Sequence, residues 1–499
     1  MSAIGSVPHA HVGRPVRPGR FPARGGRRIR RRVLAGLVAV AVVISGCGGV
    51  PAGRPAAEES PTGTGAAQPS FREPRQLVSA NKVLKVRLVV EMRTVELAGQ
   101  RLRALTYNGD YMPPTIRLSP GDRLDLALVN KLPEKTNLHT HGWHVSPQGN
   151  SDNIYLHIHP GETYRYSYRL PKDLAPGTYW YHSHAHPISE PQVFAGLSGA
   201  IVIDGLEKYL PAGLRHVTQR LLALKDFQAR NGAIPTAGID SNAPTTRTVN
   251  GLVDPAIAIR PGETQLWRLA NIGADIAYKV QLQGTRFNVI AQDANPVSTV
   301  WSADTLVMPP GSRFDVLVQG PPAGRSLLRT LPYTTGPAGD DYPETTLATL
   351  LSTGRPMPQA TLPTTFAPFD DLRADRVDRR RTITFSENSA STEFYIDNKL
   401  FAPDRIDVRA RLNTTEEWTV RNLADEEHTF HIHVNDFQVM SVNGRTYNAR
   451  SWQDTVQLPV HGEVVIRMRF RDFLGKYPFH CHILNHEDKG MMANIEVVP

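Results

Sequence analysis

One short pattern occurs three times in this chain, and it limits the fold more than any other feature. Tyr107-Asn-Gly is followed by Pro113-Pro-Thr-Ile-Arg-Leu-Ser-Pro-Gly-Asp and an alternating run ending at Asn130. Val249-Asn-Gly is followed by Pro255-Ala-Ile-Ala-Ile-Arg-Pro-Gly-Glu and a run ending at Asn271. Ile396-Asp-Asn is followed by Pro403-Asp-Arg-Ile-Asp-Val and a run ending at Asn422. The three starts lie 142 and 147 residues apart. That spacing is too wide for a solenoid of small repeats and suits three β-sandwich domains. Alternating stretches such as Lys85-Val-Arg-Leu-Val-Val and Val464-Val-Ile-Arg-Met-Arg-Phe, separated by Pro-Gly and Asn-Gly turns, predict an all-β chain without a prominent amphipathic helix. Boundaries near 206–215 and in the Pro-rich stretch 353–380 predict domains at 81–205, 215–355 and 380–499.

The first 47 residues are of another kind. They hold nine arginines and no Asp or Glu, so the formal charge of +9 belongs to them and the remainder is neutral. A neutral folded part gives no argument for a nucleic-acid partner. The apolar run Val33 to Ile44 is shorter than the about 20 residues a membrane-spanning helix needs, and it precedes Ile44-Ser-Gly-Cys47. This reads as a secretory signal at 1–47 with a lipobox, which predicts a lipid anchor at Cys47 as the chain's one link to a membrane. Arginine pairs at Arg27-Arg28 and Arg31-Arg32 leave the Sec and twin-arginine routes both open. Residues 48–80, rich in Pro, Gly, Ala, Ser and Thr, are expected to form a flexible linker. The expected localisation is the cell surface or the outer face of the cytoplasmic membrane.

The exported part then retains one cysteine, Cys481, and can form no internal disulfide. Its histidines are not scattered. Four His-x-His pairs stand at His139/His141, His182/His184, His431/His433 and His480/His482, and between residues 206 and 427 there is only His216. Repeats one and three must therefore meet in space. In an extended strand residues i and i+2 share a face and i+1 takes the other. Each pair thus offers two imidazoles on one side, while Cys481, and His428 three residues before His431, point the other way. Eight imidazoles suffice for three metal ions. Cys481 and His428, completed by His486 and Met491 after a bend, form the His₂Cys-plus-thioether set of a blue-copper electron-transfer site. Thiolate and imidazole also suit zinc, but a redox-silent ion gives no reason to fuse a cysteine ligand between two histidine ligands of another cluster.

At these residues the chain resembles the multicopper oxidases, the laccase-like family of three cupredoxin domains. The matching stretches are His139-Thr-His-Gly-Trp-His-Val-Ser-Pro, Gly177-Thr-Tyr-Trp-Tyr-His-Ser-His, His428-Thr-Phe-His-Ile-His and His480-Cys-His-Ile-Leu-Asn-His-Glu-Asp-Lys-Gly-Met. The resemblance implies three Greek-key cupredoxin-like sandwiches and four coppers per chain. His428, Cys481 and His486 would hold the type 1 copper with Met491 as axial ligand, selected over Met492 by the family's spacing. His139 and His431 would hold the type 2 copper. His141, His182, His184, His433, His480 and His482 would hold the type 3 pair. Electrons from a reductant at His486 would pass through Cys481 to the cluster, where dioxygen is reduced to water. Glu487 and Asp152 would supply protons or orient water. His144 is expected to be structural, His186 to approach the cluster without binding metal, and His157 and His159 to form a solvated strand end. A phenol or aromatic amine is the expected reductant, since the nine methionines form no cluster to feed Cu(I). Cu(I), Mn(II) or Fe(II) is the alternative, and a copper-free cupredoxin scaffold is a third reading.

Overall fold

The computed structural model describes residues 68–499. The leader 1–47 with Cys47, and residues 48–67 of the expected linker, lie outside the described residues. Three β-sandwiches follow one another, each built of two sheets around its own apolar core. In the first, a sheet of Gln100–Tyr107, Val83–Leu97, Arg123–Asn130 and Thr163–Arg169 lies over one of Gln76–Val78, Thr115–Leu118, Ser198–Ile203, Gly177–His182 and His139–His141. The second and third sandwiches each set six strands against five. Ser189–Phe194 and Leu484–Asp488 are the α-helices among the described residues, and both are short.

The residues that mark the repeat take the same part in each copy. An early strand pairs in parallel with the strand that ends in Asn: Val83–Leu97 with Arg123–Asn130, Gln219–Phe227 with Thr264–Asn271, and Arg379–Glu387 with Thr414–Asn422. Each terminal Asn is buried and closes the loop that leaves the strand. Asn271 Nδ2 donates to Ile276 O (2.9 Å) and Met308 O (3.0 Å), and its Oδ1 accepts from Gly273 N (3.2 Å). Asn130 serves Glu134 O, Ile158 O and Leu132 N in the same way, and Asn422 serves Glu426 O, Leu458 O and Ala424 N. A carboxamide has the two donors and the acceptor that this knot requires; aspartate lacks the donors. The turn residues Asn108, Asn250 and Asp397 adopt φ of 58°, 52° and 51°, a left-handed conformation that short polar side chains accept. Their Oδ1 atoms accept from Val89 N, Ala223 N and Thr384 N.

Residues 68–80 depart from the flexible linker expected for 48–80. Gln76–Val78 pairs in parallel with Thr115–Arg117, and Phe71 N donates to Ala256 O at 3.0 Å, with its side chain against the second core. The strands so covered, Thr115–Leu118 and Ala256–Ile259, would otherwise end their sheets with bare edges. This tail ties the first sandwich to the second.

Replacing Asn271 by Ala leaves two buried carbonyls and an amide without partners. The substitution should cost about 3 kcal/mol of stability, read as a lower unfolding midpoint by calorimetry. Asn271→Asp should do no better, because it supplies no donors.

Candidate metal centre

The first and third sandwiches present matching hairpins. In the first, His139 stands opposite His182 and His141 opposite Trp180. In the third, His431 stands opposite His480 and Phe430 opposite Cys481. The hairpins meet face to face: His139 stacks on His433 (centroids 3.8 Å, planes 15°) and His141 on His431 (3.9 Å, 14°). That reciprocal stacking is what an approximate twofold axis between the two sandwiches requires. None of the eight imidazoles is more than 2 % exposed.

Their nitrogens gather as the strand parity predicts. Ligating atoms of His141, His182 and His482 lie within 4.8 Å of one another, as do those of His184, His433 and His480, and those of His139 and His431 with His141. The axis exchanges the first two triads and maps His139 onto His431. His184 Nε2 and His433 Nε2 each lie 3.3 Å from His480 Nε2. The far side of several rings is fixed. His139 Nδ1 donates to Asp152 Oδ2 (2.8 Å), His431 Nδ1 to Asp454 O (2.7 Å), and His182 Nδ1 to Ser183 O (2.8 Å). Their Nε2 atoms are left buried without a partner, as is His141 Nδ1, whose Nε2 lies 3.0 Å from Asp454 Oδ1. Burial, helped by repulsion from neighbouring rings, pushes His139, His141, His431, His433 and His482 well down, His182 to about 3 and His184 to about 4, so these seven are neutral at pH 7. Neutral lone pairs converging in a dry space are the donor set of a bound metal, and imidazole suits copper.

The second group lies on the opposite face of the same strands. Cys481 Sγ is 3.8 Å from both His428 Nδ1 and His486 Nδ1, which are 3.2 Å apart. Thr429 N–H points at the sulfur from 3.4 Å. Burial pushes the thiol up, so a bound cation is what would hold the thiolate. Met491 is fully buried, and its main chain is bonded to both partners: Cys481 N donates to Met491 O (3.0 Å) and Met491 N to His486 O (2.9 Å). Met492 lies instead on the following strand, opposite His480.

The first sandwich holds a silent counterpart of this group. Ser183 stands between His182 and His184 as Cys481 stands between His480 and His482, and Thr136 precedes His139 as His428 precedes His431. There Thr136 Oγ1 (2.8 Å) and Ser183 Oγ (2.5 Å) donate to Gln192 Oε1. Hydroxyls and an amide satisfy one another, and no thiol or imidazole is available to a metal.

Both expected carboxylates adjoin the histidines. Asp152 binds Thr140 N and Oγ1 through Oδ1 and His139 through Oδ2, and burial pushes its carboxyl up to about 7. Glu487 lies 3.1 Å from His480 Nδ1 and 3.4 Å from His184 Nδ1. Burial alone would raise it, but the two rings outweigh burial and hold the carboxyl well below the usual range. Of the remaining histidines, His144 joins the first and third sandwiches through Val434 O (2.7 Å) and Asp472 (2.9 Å). His186 lies against Phe401, 3.7 Å from Asp488, and belongs to no metal triad among the described residues. His157 and His159 are exposed, with their rings 6.5 Å apart. Sequence reasoning missed Asp454, Arg313, Glu426 and Glu387. Their contacts are long-range, and no motif spacing marks them.

Comparison with known proteins agrees. Sequence profiles described as multicopper oxidase match residues 89–208, 217–350 and 373–499. The chain is 27 % identical over 409 residues to multicopper oxidase mco of Staphylococcus aureus, covering 80 % of this chain and 85 % of that one. It is 30 % identical over 428 residues to cell division protein FtsP of Edwardsiella tarda, covering 81 % and 87 %. Among solved structures, a multicopper oxidase from Campylobacter jejuni described as a metallo-oxidase superposes with a TM-score of 0.77 at 28 % identity, over 86 % of this chain and 95 % of that one. Three cupredoxin-like sandwiches, two ligand groups back to back on shared strands and these matches lead to one conclusion: the chain belongs to the multicopper oxidase family, copper-dependent oxidoreductases with dioxygen as electron acceptor.

Proposed function

We propose that this chain couples one-electron oxidation of a small reductant at His486 to four-electron reduction of dioxygen to water at the eight-histidine cluster. The observation that carries this reading is the run His480-Cys481-His482, which sets the one thiol of the described residues between a ligand from each histidine triad. His428, Cys481, His486 and Met491 take the type 1 role, and His139 with His431 the type 2 role. His141, His182 and His482, with His184, His433 and His480, take the type 3 roles. Copper held at these positions would supply the redox chemistry, one-electron acceptance at the first site and dioxygen reduction at the other three.

The protein's residues supply path, orientation and protons. His486 is 7 % exposed while His428 and Cys481 are fully buried, so a reductant reaches its edge. From the sulfur, two covalent routes lead to His480 and His482, and His480 Nδ1 also donates to Cys481 O at 2.9 Å, which shortens the first. Water formation consumes protons. Asp152 can exchange one at Oδ2 near neutral pH, and the Glu487 carboxylate, 3.1 Å from His480 Nδ1 and 3.4 Å from His184 Nδ1, adjoins both rings and keeps them in place.

For the reductant, the sequence favours a phenol or aromatic amine, but one feature favours a cation. Glu426, 6 % exposed, places Oε1 3.4 Å from His486 Nε2, and its carboxyl adjoins that of Glu387. Burial and this neighbour push Glu426 up to about 9. Glu426 Oε1 and Glu387 Oε2 have no hydrogen-bond partner. Adjoining buried carboxyls share a proton or hold a cation, and Cu(I), Mn(II) or Fe(II) held there would touch His486. The metallo-oxidase among the solved relatives supports this reading. A relative named as a cell division protein keeps a scaffold role in view, but a scaffold has no use for ten histidines, most with an unpartnered ring nitrogen, gathered around a buried thiol and one another. Export with a lipid on Cys47 completes the reading and rests on sequence alone.

Cys481→Ser should abolish the blue thiolate absorption and lower oxygen uptake at least about 100-fold, with far-ultraviolet circular dichroism unchanged; retained uptake would refute the proposed electron route. Glu426→Gln with Glu387→Gln should lower kcat/KM for Cu(I), Mn(II) or Fe(II) about tenfold or more while sparing a phenol. A loss confined to the phenol would reverse the assignment. Labelling of cells with a fatty-acid analogue should mark the protein and fail with Cys47→Ala.

A further inference from the structure

The middle sandwich supplies no histidine to the cluster, yet it reaches it. Arg313, at the start of the strand Arg313–Gln319, is fully buried and touches all three sandwiches. Its Nε donates to Thr178 O of the first (3.1 Å), its Nη1 to Gly311 O of the second (2.9 Å), and its fork to both carboxylate oxygens of Asp454 in the third (2.7 and 2.6 Å). Asp454 in turn faces two ligands. Its main-chain O accepts from His431 Nδ1, and its Oδ1 lies 3.0 Å from His141 Nε2. Gly311 comes so close that a Cβ there would stand 3.1 Å from the His141 ring and 3.3 Å from that of His482.

We infer that Arg313 and Asp454 are positioning residues for the cluster: the middle sandwich, through this ion pair, decides which nitrogen of His141 faces the metal. A neutral imidazole carries one hydrogen. The carboxylate, held in one orientation by a planar fork, takes that hydrogen on Nε2 and leaves the Nδ1 lone pair to point into the cluster. His141 Nδ1 is accordingly buried and without a partner. Without a fixed acceptor on Nε2, the hydrogen can move to Nδ1 and block the ligand position.

This inference rests on the copper reading, and its test separates the two. An ion pair that merely bolts sandwiches together and one that orients His141 make different demands on position 454. Two variants remove the ion pair alike. Arg313→Met with Asp454→Asn keeps an oxygen at the Oδ1 position, and Arg313→Met with Asp454→Leu keeps none. Thr455→Val is added to both, because Thr455 Oγ1 lies 3.4 Å from His141 Nε2 and would serve as reserve acceptor. Full-length protein is loaded with Cu(I) without oxygen and then exposed to air. Copper content, the near-ultraviolet absorption of the coupled pair and electron paramagnetic resonance are read, with the blue band as internal control and the unfolding midpoint as measure of the bolt. The Asn variant should keep its coupled pair. The Leu variant should bind one copper roughly 10- to 100-fold more weakly and show the remaining member of the pair as a resonance signal, its blue band intact. Equal copper content and equal spectra in the two would overturn the positioning role. An unsubstituted chain that binds fewer than about three coppers per chain would overturn the copper reading itself.

Discussion

The structure depends on eight imidazoles buried with their ligating nitrogens turned toward one another. Away from water, polar groups without partners are costly, and here the cost cannot be relieved by moving one ring, because His139 stacks on His433 and His141 on His431 across the contact of two sandwiches. The arrangement is stable as a set when cations occupy it. Metal binding and the docking of the first sandwich on the third are therefore one equilibrium, and each is strengthened by the other.

The middle sandwich has its place in that equilibrium. It keeps the repeat's turn and its strand-ending Asn, at Asn250 and Asn271, but carries Tyr278 in the strand that matches the His428 strand. Its core contains none of the ligands. With no metal to organise it, its contribution is rigidity: Asp315 accepts from Thr178 of the first sandwich and from Arg268, and Arg313 reaches the third. The outer sandwiches are thus aligned by buried hydrogen bonds to the first and a salt bridge to the third, both dry on all sides. Such pairs are sensitive to geometry, because an uncompensated buried charge costs more than the pair contributes.

Much of this was legible in the sequence because it follows from a period of two. The sorting of His428 and Cys481 away from the His-x-His pairs needed only the alternation of strand faces, and it holds in the observed hairpins. The repeat was legible because Asn130, Asn271 and Asn422 each tie the same loop, so that one residue type is required at one place. What was hidden was whatever depends on contacts between residues far apart in the chain. Arg313 and Asp454 are 141 residues apart, and neither stands in a pattern. Glu426 precedes His428 by two, but its neighbour Glu387 comes from a separate strand. Residues 68–80 have the composition of a linker, and only the bare edges of two sheets give them a structure.

Ser183 bears on how the molecule is driven. Around the axis the histidine triads are duplicated, but one hairpin carries Cys481 and His428 where the other carries the hydroxyls of Ser183 and Thr136, both held by Gln192. Two thiols would have given a circuit with two terminals, in which charge delivered at one could leak out at the other before four equivalents had collected. With one terminal closed, copper held in the cluster would form a reservoir with a single inlet. Its filling is governed by one potential and one docking surface, and an otherwise symmetrical frame is given a direction.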